Sequence, residues 1–309
     1  MPSLITHYEF SKQNFPKHKK IFYLGSQGPD PFFYYGYTSP LRSNIREVRE
    51  FGTYLHEIDP FITFSFLFDY AKKEEDKENE EILIAFIKGL MSHYVLDRTC
   101  HPYIFYKTGF PLKGTIFSIY HSLLETDIDV LMEENFNDKP SFKELLKVDK
   151  KDLKLVSKMM KALADYLNKD RVDEKSYYHS VKTMLTVNRC INSKIFGFRK
   201  FIFSHLMKNS VINAMSHPKL KNLDKNIDYL NLNENEWFNV VTNESMGKDT
   251  FFDLIDKAYI DLAHVLQTID DVYYNDLDYE PINEFIGQIN HDGIKIGQKM
   301  KYFSLLFKN

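Results

Sequence analysis

The 309-residue sequence predicts an all-α fold, and three observations carry the prediction. Glycine is scarce at 12 residues, so tight turns are few. Apolar residues recur at helical spacing through several long segments. No stretch shows the apolar–polar alternation of a half-buried strand. Hydrophobic residues make up 43% and charged residues 27%, enough apolar surface for one large domain or two average ones to bury a sizeable core.

The elements follow in chain order. The first 42 residues read mostly as loop, punctuated by Pro16, Gly25, Gly28, Pro29, Pro31, Gly36 and Pro40. Ser43 or Asn44 caps a helix to about Glu57, with Ile45, Val48, Phe51, Leu55 and Ile58 at helical spacing. A second helix covers about Phe61 to Lys72, and the charged run from Lys72 to Glu81 is a solvated connection. Two long apolar helices, about Glu80 to His101 and Gly114 to Phe136, flank a loop containing Pro and Gly. Beyond Pro140, helical spacing returns near 149–168, 173–192, 194–215 and 248–274, with an Asn- and Lys-rich connection over 216–235 and a loop over 287–297.

Composition excludes several function classes. A formal charge of −3, from 40 basic and 43 acidic side chains, is not that of a protein that grips long nucleic acid. Cys100 and Cys190 are too few for a disulfide framework and fit a reducing compartment. The longest notable apolar run, Ile82 to Ile87, falls far short of the roughly 20 residues of a membrane span. No basic segment followed by a long apolar one opens the chain, so we expect a cytoplasmic protein.

Two segments carry chemistry. His93, Asp97 and His101 stand at i, i+4 and i+8, and so do His121, Glu125 and Asp129. This spacing spreads three side chains over about 80° of one helix face. A His–acid pair at i+4 is expected by chance roughly one or two times, whereas a full triad is expected only about 0.3 times in this composition. On the first helix Glu80, Glu81, Lys88, Arg98 and Thr99 form the polar side, and the triad lies opposite, in line with Phe86, Leu90 and Cys100. On the second, the triad shares its stripe with Phe117, Ile128 and Met132. Both sets therefore point inward, where carboxylates must pair or bind metal. A structural Asp–His network is the alternative to metal. A mixed His and carboxylate set without Cys favours zinc in a catalytic site, and six candidate ligands exceed one tetrahedral ion.

A family resemblance rests on five stretches in order: Pro2 to His7, Tyr23 to Pro31, His56 between Leu55 and Glu57, His93 to Asp97, and His121 to Glu125. Together they resemble the zinc-dependent phospholipase C family, similar in fold to the single-strand-specific zinc nucleases. The resemblance implies a single all-α domain over 1–309, with a metal-site half over 1–136 and a helical extension over 150–309. It implies two or three Zn2+ ions. By position, His56, His93 and Asp97 hold one zinc; His101, His121 and Glu125 hold a second; Asp97 bridges to a third that also takes His7. Asp30 matches the acid that acts as general base or ligates metal. Two departures stand out. Secreted relatives chelate the third zinc through an N-terminal Trp, whereas Trp237 is the only Trp here. Only three residues separate Asp97 from His101, and Pro102 follows at once, which keeps Asp129 and Asp127 as alternative ligands.

The implied activity is metal-assisted phosphodiester hydrolysis, in which zinc lowers the pKa of water towards roughly 7. A phospholipid, reached through transient contact with a membrane surface, or a small phosphodiester is the implied substrate. A nuclease or nucleotidase and a non-catalytic metal-stabilised binding protein are the rivals. The aromatic run from Phe32 to Tyr37 is either a wall for a choline group or base, or loop packing. His18, His179, His205, His217, His264 and His291 show no partner pattern and read as surface or core histidines.

Overall fold

The computed structural model describes residues 4–12, 17–110, 112, 115–135, 147–191, 214 and 220–307. Among them are ten α-helices and no strand beyond two isolated bridges. In order they are α1 (Leu4–Ser11), α2 (Lys19–Gly25), α3 (Ile45–Glu57), α4 (Pro60–Lys72), α5 (Lys77–Thr108), α6 (Thr115–Asn135), α7 (Lys150–Tyr166), α8 (Glu174–Ile191), α9 (Phe251–Tyr274) and α10 (Glu280–Ile286). The helix expected over 194–215 lies outside the described residues, save Ala214, and so do His205 and His217.

The all-α expectation holds, with a correction at the start of the chain. The first 42 residues are not mostly loop: they form α1, α2 and a 3-10 turn over Asp30–Tyr34. Helix α1 buries Leu4, Ile5, Thr6, His7, Glu9, Phe10 and Ser11 and so lacks the one-sided pattern that marks a surface helix. Gly25 ends α2 inside the helix instead of breaking it, because α2 lies so close to α5 that a Cβ there would collide with the Phe86 carbonyl.

Helix α5 is the axis of the fold. Asp76 caps its start, accepting from the Asn79 N–H at 3.0 Å, so the helix begins inside the charged run. It ends at Gly109 in the left-handed conformation, φ 64°. Pro102 does not end it: the helix runs on for six residues through buried Tyr103, Ile104 and Phe105. A proline inside a helix removes one backbone hydrogen bond and costs about 3 kcal/mol or more, so tertiary packing must sustain this turn. One hydrophobic core joins Leu4, Phe86, Leu124, Met160, Leu262 and Ile286, drawing on both halves of the chain. Around it α2, α6, α9 and α1 pack on α5.

Candidate metal centre

Helix α5 delivers His93, Asp97 and His101 on its buried face, and all three are essentially inaccessible to solvent. Helix α6 delivers His121 and Glu125, α1 delivers His7, α3 delivers His56 and the 3-10 turn delivers Asp30. These side chains fall into three groups with mutually close donor atoms, the first two sharing His93: His7, His93 and Asp97; Asp30, His56 and His93; and His101, His121 and Glu125.

Asp97 sits in the middle. Its Oδ1 lies 3.2 Å from His7 Nε2 and 3.8 Å from His101 Nε2, and its Oδ2 lies 3.0 Å from His93 Nε2 and 4.0 Å from His56 Nε2. Asp30 Oδ1 lies 3.3 Å from His56 Nε2 and 3.9 Å from His93 Nε2. In the third group His121 Nε2 is 3.0 Å from Glu125 Oε1, which is 3.9 Å from His101 Nε2.

The histidine rings share one arrangement. His56 Nδ1 contacts the Gly52 carbonyl at 2.8 Å, His93 Nδ1 the Ser26 carbonyl at 3.2 Å, and His101 Nδ1 the His291 carbonyl at 2.7 Å. Each carbonyl can only accept, so the proton belongs on Nδ1 and the Nε2 lone pair is free. Each Nε2 is buried and makes no hydrogen bond, as do both oxygens of Asp97 and Oδ1 of Asp30. Such groups are costly unless something polar meets them, and carbonyl-supported imidazoles with open Nε2 atoms are how histidines are held for a metal. The donor set fits zinc.

Burial and neighbouring charge set the protonation states. Burial pushes Asp97 up, but His101, His93 and His7 together hold it well below the usual carboxylate range. Burial depresses His7, with His93 adding to the effect, and depresses His101 strongly. At His56 burial works in the same direction, yet the Asp30 carboxylate outweighs it and raises the pKa. His291 is depressed strongly by burial and by His56 and His93.

The metal-free protein is therefore expected to be acid-sensitive. Below about pH 6.5 the unfolded chain protonates its histidines, while the fold keeps His7, His101 and His291 neutral. Stability falls as the pH is lowered wherever the unfolded state binds more protons. His56, raised beside Asp30, and Asp292, whose carboxyl burial pushes up to about 6, contribute oppositely, but they stand two against five, because burial depresses His121 and His179 as well. Thermal unfolding of chelator-treated protein should show a midpoint roughly 5 °C lower at pH 5.5 than at pH 7.5; an equal or higher midpoint at pH 5.5 contradicts it.

Not every expected residue joins the groups. The Asp129 carboxylate accepts from the backbone N–H groups of Ile5, at 3.0 Å, and Thr6, at 2.8 Å, and from Thr6 Oγ1 at 2.5 Å. It thus satisfies buried backbone donors at the start of α1 that have no partner within the helix, and neither it nor Asp127 belongs to a metal group among the described residues. In the aromatic run Phe32 and Tyr35 are buried, Phe32 against Phe51 and Tyr177, as loop packing requires. Phe33 stacks on His56 with ring centroids 5.5 Å apart. His291, read only as a surface or core histidine, is buried beside the centre, its ring 5.1 Å from His56 and 5.7 Å from His93.

The fold and site define an all-helical protein whose buried histidines and carboxylates are consistent with a multinuclear metal site. The family model described as zinc dependent phospholipase C matches residues 4–205, and the chain belongs to that family. No curated protein and no solved structure matches the chain. Among the described residues, no helix is long and apolar enough to cross a membrane.

Proposed function

We propose that the protein is a zinc-dependent phosphodiester hydrolase of the phospholipase C type, built as one domain and binding two or three zinc ions. The observation that carries this reading is the set of open, buried Nε2 atoms on carbonyl-supported histidines, converging on Asp30 and Asp97. Family membership supports the choice of zinc and of a phospholipid substrate.

Asp30, His56 and His93 would hold one zinc, His101, His121 and Glu125 a second, and His7 with Asp97 a third. When bound, zinc supplies Lewis acidity, lowering the pKa of water and offsetting the phosphodiester's charge. Asp97 keeps its negative charge at neutral pH and so offsets positive charge gathered around it. The Nδ1 contacts of His56, His93 and His101 keep the rings from turning, so no reorganisation is needed during reaction. Asp30, beside His56, is the group we assign to orient the attacking water and take its proton. Hydrolysis of a phospholipid would release diacylglycerol and a phosphorylated alcohol.

The test is metal analysis of purified protein and of a His93→Ala variant, which removes a donor shared by two groups. Wild type should hold at least two zinc equivalents and the variant at least one fewer. Wild type should also cleave phosphatidylcholine vesicles in preference to short single-stranded oligonucleotides. Less than one equivalent in wild type, with the variant no different, overturns the metal reading. Preferential cleavage of oligonucleotides would move the protein to the nuclease side of the same chemistry.

A further inference from the structure

Of the three histidines whose Nδ1 rests on a carbonyl, only His101 draws its partner from beyond the family-matched segment. That partner is the carbonyl of His291, 190 residues away in the chain. The N–H of the same residue donates to the His56 carbonyl at 3.3 Å. One peptide segment near the end of the described chain thus touches both the Asp30–His56–His93 group and the His101–His121–Glu125 group.

The segment is built to stay there. Asn290 Oδ1 accepts from the N–H groups of Asp292 and Ile294, at 3.1 and 3.3 Å, and the Asn290 N–H donates to the Ile294 carbonyl at 3.0 Å. Tyr94, on α5, donates its hydroxyl to the Ile289 carbonyl at 2.8 Å. Gly293 has φ 71° and lies on α5 at the Pro102 turn. Pro102 has no N–H, so the Arg98 carbonyl loses its usual helical partner and the helix surface is open at that point. Gly293 fills the opening: a Cβ there would collide with the Arg98 oxygen and stand 2.6 Å from Pro102 Cγ. A proline costly to its own helix and a glycine with no room for a side chain are two halves of one contact.

We propose that the loop Asn290–Ile294 is a strap that positions two zinc ligands at once, His101 through the His291 carbonyl and His56 through the His291 N–H. The strap acts by its main chain. The His291 ring, although buried beside His56 and His93, has its nitrogens in none of the three metal groups. His291 is therefore a positioning residue, and the segment beyond the family match completes the centre. The proposal rests on the zinc reading above.

Two measurements on the full chain test it. Ring 15N NMR of the metal-free protein reads the His101 tautomer directly, and chelator competition reads zinc affinity site by site. Gly293→Ala and Asn290→Ala should lose the Nδ1–H tautomer of His101 and weaken one zinc site by 10–100-fold, the usual cost of removing a ligand's support. Asn290→Asp, which keeps the accepting oxygen but sets a carboxylate in place of the Nδ2 donor to Asp292, should restore both in part. His291→Ala keeps the carbonyl and should keep the Nδ1–H tautomer of His101. Asn290→Ala introduces no clash and decides the matter even where Gly293→Ala fails to fold. Wild-type tautomer and affinity in a folded Asn290→Ala protein, or loss of that tautomer in His291→Ala, would overturn the strap. Should wild type bind no zinc, the zinc reading fails, while the tautomer still decides whether the loop orients His101.

Discussion

Replacing Asp97 with Asn is expected to strip zinc from more than one site and to lower phosphodiester hydrolysis by at least about 1000-fold. Removing a ligand's support typically costs 10–100-fold, and removing a shared carboxylate costs more. Asp97 is fully buried with four histidine Nε2 atoms within 4.0 Å, each an open donor aimed at the same space. Its charge is the one negative group common to these histidines, and the amide has almost the same shape without it. The amide would also bring an NH2 where only an acceptor is useful. Zinc content, hydrolysis of phosphatidylcholine and helical circular dichroism together check the prediction. A folded variant with full zinc and undiminished hydrolysis would show that the centre is not organised around Asp97.

The α5 triad is legible because helical spacing and burial agree there. His93, Asp97 and His101 fall opposite Glu80, Lys88 and Arg98 on one long helix, so the sequence carries both identity and orientation. The same logic misjudges Asp129, which shares a stripe with His121 and Glu125. Spacing reports which face a residue occupies and not which neighbour reaches it first; the start of α1 takes that carboxylate. Helix α1 is itself hidden, because a short helix buried on nearly all sides shows no periodicity. Asp30, His56 and His7 stand on three other elements, and only the family resemblance links them to the triads. His291 has no such signal. The one available clue is indirect: a proline directly after a candidate ligand, inside a helix, implies that another segment packs at the opened turn.

Among the scarce glycines, two stand at a helix–helix contact and carry the last expectation. Gly25 and Gly89 face one another where α2 meets α5, with a Cβ on Gly89 colliding with the Phe22 carbonyl and standing 2.9 Å from Gly25 Cα. Helix propensity alone says that Gly89→Ala should stabilise α5 by about 1 kcal/mol. Packing says the opposite, since the colliding atom is backbone and cannot swing aside. Overpacking of this kind costs about 3 kcal/mol, which exceeds the propensity gain by about 2 kcal/mol, so the thermal midpoint should drop by roughly 4 to 8 °C. The consequence reaches the metal centre. Ser26 follows Gly25 directly and gives His93 its carbonyl partner, while Gly28, at φ 55°, lies against the His93 ring. Pushing α2 away from α5 draws that support from His93, one turn beyond Gly89, so zinc affinity should fall about 10-fold with the stability. A rise in midpoint with unchanged zinc affinity would mean that propensity governs this position and that α2 does not hold His93. A fall in midpoint without loss of zinc would separate the two roles, leaving the glycine pair as packing alone.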